Sequence, residues 1–192
     1  MTFEEGVGGL VDFSSDPLAP TAVDLEVGVN TFIGTVTADG GADVRDYFTF
    51  EVGVGELLTD IRVVSYETFS GGSTTPDPVA NTAFAHIDEG ATSVIPGGGT
   101  ITDFLGGAHI NNTVSPPTVN LLDSLAAASQ GGTGFTAPLG PGIYTFNIQQ
   151  TGPQLSAYEL DFTIVPEPST YAAIAGGLAL GLAVLRRRLR RA

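Results

Sequence analysis

The side chains best equipped for chemistry in this chain are carboxylates. Asp39, Asp43 and Asp46 fall in one glycine-containing loop, Asp39-Gly40-Gly41-Ala42-Asp43-Val44-Arg45-Asp46. Calcium takes six to eight hard oxygens, and a flexible loop can supply them from its carboxylates and its own carbonyls. The spacing is not that of an EF-hand and Arg45 stands among the acids, so the competing reading is a solvated turn leading into a strand. Calcium at Asp39, Asp43 and Asp46 is the one cofactor the sequence suggests. Asp77, Asp88 and Glu89 could gather in a similar way, although a strand separates the first from the others. His86 and His109 raise the question of a Ser-His-Asp hydrolase. That chemistry needs a serine on a sharp elbow, and no Gly-x-Ser-x-Gly occurs. Paired carboxylates for glycoside cleavage are defined by their separation in the fold, so acids in sequence identify no pair. The expectation is a protein without catalytic activity.

The missing residue types are equally informative. There is no lysine, which removes Schiff-base chemistry, and no cysteine, which removes disulfides, thiolate nucleophiles and thiolate metal sites. Residues 1–165 carry 20 acids against Arg45 and Arg62 alone, a net of −18, while the rest of the chain sets five arginines against Glu167. A body this acidic repels phosphate backbones, so no nucleic acid partner is expected. About 165 residues suffice for one domain with its own core.

The elements that must position these groups read as strands. Residues 3–20 look like an irregular lead-in broken at Asp16-Pro17 and Ala19-Pro20. Val23–Val27 and Thr31–Val36 alternate around a turn at Gly28–Asn30. Asp46–Val52 sets Phe48, Phe50 and Val52 against Tyr47, Thr49 and Glu51; Leu57–Tyr66 sets Ile61 and Val63 against Arg62, Val64 and Tyr66. Further strands are expected at Ala83–Asp88, Thr92–Ile95 and Thr100–Leu105, and one helix at Asn120–Ala128 with Asn120 as its N-cap. The clearest alternation is at Ile143–Gln149 and Tyr158–Ile164, and period two implies one dry face and one wet face. Strands at this turn-rich spacing predict an all-β fold, an antiparallel β-sandwich of jelly-roll-like kind, over residues 21–165. Tyr47 and Tyr66 are the outward aromatic residues on which a sugar could stack.

Residues 166–192 differ in kind. Pro166-Glu167-Pro168 cannot continue a ladder, and Tyr171–Leu185 is uncharged and helix-prone. Its fifteen residues span about 22 Å as a helix, a short transmembrane-type segment that Ser169 and Thr170 can lengthen. Arg186, Arg187, Arg188, Arg190 and Arg191 follow at once, and a cluster placed there stays cytoplasmic by the positive-inside tendency. Gly177-x-x-x-Gly181 offers a close helix–helix approach, a spacing that small residues also give by chance.

This tail, Val165-Pro166-Glu167-Pro168-Ser169 followed by the short apolar helix and the arginine-rich tip, closely resembles the PEP-CTERM sorting signal of Gram-negative bacteria. The resemblance implies recognition by a membrane-embedded exosortase, cleavage near Pro-Glu-Pro, and transfer to the cell surface or extracellular polymer matrix. The body looks similar to bacterial pre-peptidase C-terminal-type sandwiches through Asn30–Val36, Asp46–Val52 and Gly142–Phe146, and to exported PEP-CTERM proteins through Tyr158–Phe162. Such modules are accessory domains. The expectation is an exported surface or matrix protein, held briefly in the inner membrane by its tail. The alternative is a carbohydrate-binding module, calcium-dependent or not, acting on exopolysaccharide. Export needs an entry signal, and Met1–Glu5 is acidic with no apolar run after it, so Met1 is expected to be a misassigned start or a truncation.

Overall fold

The alternating segments pair into two sheets that face each other across one core. The structure is a computed structural model, and it describes residues 1–10, 12–37, 44–69, 82–93, 104–111, 120–150, 155–168 and 186. Its elements are β1 (Thr2–Glu4), β2 (Thr21–Ala22), β3 (Gly28–Thr37), β4 (Arg45–Val52), β5 (Glu56–Phe69), β6 (Thr82–Glu89), β7 (Gly106–Asn111), α1 (Leu121–Ala126), β8 (Gly142–Gln150) and β9 (Leu155–Pro166). One sheet runs β1-β3-β9-β5 and the other β2-β4-β8-β6-β7. The inward positions of both sheets are mostly Phe, Leu, Ile, Val, Ala and Tyr, and their contact is aromatic at its centre. Phe32 of β3 stacks on Phe48 of β4 at 4.2 Å, and Phe162 of β9 meets Phe32, Phe48, Phe50 and Phe146 at 4.8–5.6 Å. Ring pairs of this kind contribute about 0.5–1.5 kcal/mol each beyond the area they bury. The fold is therefore all-β with two packed sheets.

The sheets are mixed, where a purely antiparallel sandwich was expected. β1 runs parallel to β3 and β2 runs parallel to β4, while the remaining pairs are antiparallel. The cause is the lead-in, which is less irregular than its prolines suggest. It forms the edge strand of one sheet at residues 2–4, crosses over, bridges Ser14 to Tyr47, and forms the edge strand of the other sheet. Val23–Val27 is accordingly not a strand; Val23 donates its N–H to Thr49 and the chain then turns. Asn30 shapes that turn by accepting from Glu26 N–H and donating to Glu26 carbonyl, while Gly28 takes φ +113°, a value side chains resist.

Two other boundaries differ. β7 begins at Gly106, after the strand expected at Thr100–Leu105, of which residues 100–103 lie outside the described residues. Thr92 and Ser93 are not extended into a strand, and residues 94 and 95 are likewise outside the described set. The helix is close to expectation: Leu122 N–H donates to Asn120 Oδ1 at 2.9 Å, and Leu121, Leu122 and Leu125 face the core.

β9 lies between β3 and β5, pairing with β3 from Leu155 to Ile164 and with β5 from Leu155 to Pro166. The ladder does not stop before Pro166: Pro166 pairs with Glu56, and Glu167 N–H donates to the Gly55 carbonyl at 2.8 Å. Proline is tolerated at that last position because its missing donor falls at the strand end. The apolar helix expected at Tyr171–Leu185, Ser169 and the tail arginines Arg187, Arg188, Arg190 and Arg191 lie outside the described residues. Among the described residues no helix is long and apolar enough to cross a membrane.

Candidate functional site

Chemistry-bearing groups gather where the lead-in closes one end of the sandwich. Glu5 follows edge strand β1, Asp12 lies further along the lead-in, and Asp46 is the second residue of β4. A carboxylate oxygen from each lies within 4.8 Å of the others. Asp46 shares the inward face of β4 with Phe48 and Phe50, so strand alternation carries it between the sheets, where it is fully buried. Tyr158 of β9, also inward, donates its hydroxyl to Asp46 Oδ2 at 2.7 Å and ties the two sheets together. Glu5 Oε2 accepts from Thr35 N–H at 2.8 Å and from Thr35 Oγ1 at 3.3 Å, while Glu5 Oε1 accepts from Phe13 N–H. Gly34 makes room for this: a Cβ there would stand 2.5 Å from Tyr158 Oη and 2.9 Å from Glu5 Oε1.

Burial raises the Glu5 carboxyl to about 7, opposed by the Thr35 and Phe13 donors and reinforced by a hydrogen bond and like charge from Asp12. Near neutral pH Glu5 therefore still holds part of its proton. A divalent cation could take its place, since all the ligating atoms are hard oxygens.

Of the loop expected to bind calcium, Asp39 and Asp43 lie outside the described residues, and Asp46 is placed with Glu5 and Asp12. Sequence reasoning missed Glu5 and Asp12 because both belong to the lead-in, and no local spacing links them to a residue 34 positions or more away. Asp77 is outside the described residues; Asp88 is buried and Glu89, its neighbour on β6, is exposed on the opposite face, so they do not converge. His109 is exposed on β7 and His86 is buried on β6. Tyr47 and Tyr66, expected outward, are both buried and offer no platform for a sugar. Tyr66 turns inward because the bulge between Val63 and Ser65 moves β5 by one residue and exchanges its faces relative to Ile61 and Val63. Its hydroxyl donates to Ser156 Oγ at 3.0 Å.

In the Pro-Glu-Pro motif, Val165, Pro166 and Glu167 are half-buried, paired with the start of β5 and with Gly55 in the turn before it, whereas Pro168 is exposed. No protein-family description and no curated protein matches this chain.

Proposed function

We propose that the protein is a non-catalytic surface or matrix component, exported and sorted through its PEP-CTERM-like tail by an exosortase. The observation that carries this reading is the order of three pieces: Pro166-Glu167-Pro168, the uncharged Tyr171–Leu185, and the arginines Arg186, Arg187, Arg188, Arg190 and Arg191. Placement of the motif supports it. β9 ends at Pro166, so the body is complete before the tail begins, and Pro168 offers exposed backbone beyond the last ladder bond. Removal of everything after it would leave both sheets intact. In a Gram-negative host supplied with an exosortase, the full chain is expected to lose its tail near Pro-Glu-Pro. Glu167→Ala is expected to block trimming while keeping the backbone bond from residue 167 to the Gly55 carbonyl. A wild-type chain that keeps its tail in that host overturns the reading.

The acid cluster favours a second, compatible reading, a sandwich stiffened by calcium at Glu5, Asp12 and Asp46. It makes the body a cation-responsive module able to meet anionic exopolysaccharide, although the aromatic residues once expected to stack on sugar are buried. Millimolar calcium is expected to raise the melting temperature more than sodium of equal ionic strength, and Asp12→Asn to remove the excess. Identical responses of wild type and variant contradict it.

A further inference from the structure

A second polar cluster, separate from the acids at the sandwich end, lies on the outer face of the five-stranded sheet. His86 and Asp88 are two apart on β6 and therefore share a face. Asn147 of β8 is the direct cross-strand partner of His86, and Thr145 that of Asp88. An outer sheet face is expected to be wet, yet His86, Asp88, Asn147, Thr145 and Ser93 are all buried. The rings of Phe104, Phe84 and Tyr47 stand 5.3–6.2 Å from the His86 ring. His86 Nε2 lies 2.9 Å from Ser93 Oγ and 3.3 Å from Asp88 Oδ2.

Neither oxygen of Asp88 accepts a hydrogen bond, and neither does Asn147 Oδ1. The Asn147 amide nitrogen is committed elsewhere, donating to the Asp46 and Ile148 carbonyls. Buried polar atoms left in this state each cost about 1–3 kcal/mol, more for a charged one. A single Nε2–H cannot be well directed at both Ser93 and Asp88, and no cationic side chain pairs with Asp88 among the described residues other than a protonated His86. A metal ion beside His86 Nε2 would satisfy the Asp88 carboxylate, and Asn147, the cross-strand partner of His86, is placed on the same face to add its Oδ1. Bonds of about 2.1 Å give ligand–ligand edges of roughly 3.0 Å in an octahedron and roughly 3.4 Å in a tetrahedron, and the separations at His86 Nε2 match that range. An imidazole nitrogen beside oxygen ligands selects a borderline transition ion over calcium or magnesium.

We propose that His86, Asp88 and Asn147, with Ser93 beside them, bind one divalent transition-metal ion such as Zn²⁺. The ion would fasten β6 to β8 and to the Ser93 segment, whose N–H already holds the Pro17 carbonyl at 2.8 Å. This site uses none of the residues of the acid cluster.

The test is Zn²⁺ titration of the full chain after dialysis against a chelator, followed through the imidazole NMR signals. The chain has two histidines, so the assignment needs one variant, His109→Ala. The His86 signals are expected to move to completion at one equivalent, with Asp88→Asn weakening the binding at least tenfold and Glu5→Gln leaving it unchanged. Unmoved His86 signals at stoichiometric Zn²⁺ overturn the proposal, as does equal affinity in a folded Asp88→Asn. Should that variant fail to fold, the wild-type titration decides alone.

Discussion

β8 and β9 are the two clearest strands in the sequence, each interior to its own sheet, and they differ in what lies on their outward sides. On β9 the inward Tyr158, Leu160, Phe162 and Ile164 are buried, while the outward Glu159, Asp161 and Thr163 keep contact with solvent. On β8 the inward Tyr144, Phe146 and Ile148 are buried, and so are the outward Thr145 and Asn147. One sheet is two-sided, wet and dry. The other carries a second, polar interior, held by the chain around Ser14–Pro17 and Ser93. The same alternation in sequence thus describes two different environments, and only the covering segments distinguish them. Both unusual clusters of the molecule arise where such segments fold back: the acids where residues 5–12 meet β4, and His86 with Asp88 where Ser93 and Phe104 lie over β6.

The largest difference is expected from removing β9. A chain ending at Pro168 retains every ladder bond and is expected to melt cooperatively, whereas one ending at Gln154 leaves β3 and β5 without their common partner. Circular dichroism of the two checks this, and equal melting temperatures would refute the placement of β9 between β3 and β5.

Next in size is a matched pair of substitutions. Thr145 Oγ1 donates to the Gly90 carbonyl at 2.8 Å in the covered layer, while Thr163 points to the solvated side of β9. Thr145→Val removes a buried hydrogen bond and is expected to cost about 1–3 kcal/mol. Thr163→Val is expected to change stability by less than about 0.5 kcal/mol. Urea denaturation of both reports the contrast directly, and similar costs would mean that the two outer faces are alike.

The smallest effect expected is the pH response of the acid cluster. Burial, with a contribution from Asp12, raises Glu5 from the model-compound value of 4.5 to about 7 in the folded chain. The folded state then keeps a proton that the unfolded state loses across that interval. Its contribution is full below pH 4.5 and declines as pH rises toward about 7. Glu5→Gln, measured in chelator, is expected to flatten this part of the melting-temperature profile. Parallel profiles for the two proteins would show that Glu5 titrates as an ordinary surface acid.

What the sequence revealed follows from the range of each interaction. Phe48, Phe50, Phe146 and Phe162 announce the core because period two is local, and Asn120 announces a cap because its partner is two residues away. The parallel pairing of β1 with β3 is not local, since Thr2 meets Thr31, and the lead-in's prolines conceal it. The inward turn of Tyr66 depends on the bulge between Val63 and Ser65, which shifts the phase without altering composition. Asp46 was legible as an acid worth attention, but its partners Glu5 and Tyr158 are brought to it only by the closed sandwich.

If the tail sorts the chain as proposed, the folded body stands outside the inner membrane and the arginine-rich tip stays inside it. Because the chain has no cysteine, single cysteines report position without background. Val54 is 95% exposed in the turn beside Gly55, where the backbone of Glu167 leaves the sheet. In cells lacking an exosortase, Val54→Cys is expected to react with a membrane-impermeant maleimide once the outer membrane is permeabilised. Ala192→Cys is expected to react only after the inner membrane is broken. Labelling of Ala192→Cys before lysis, or of Val54→Cys only after it, would contradict the account.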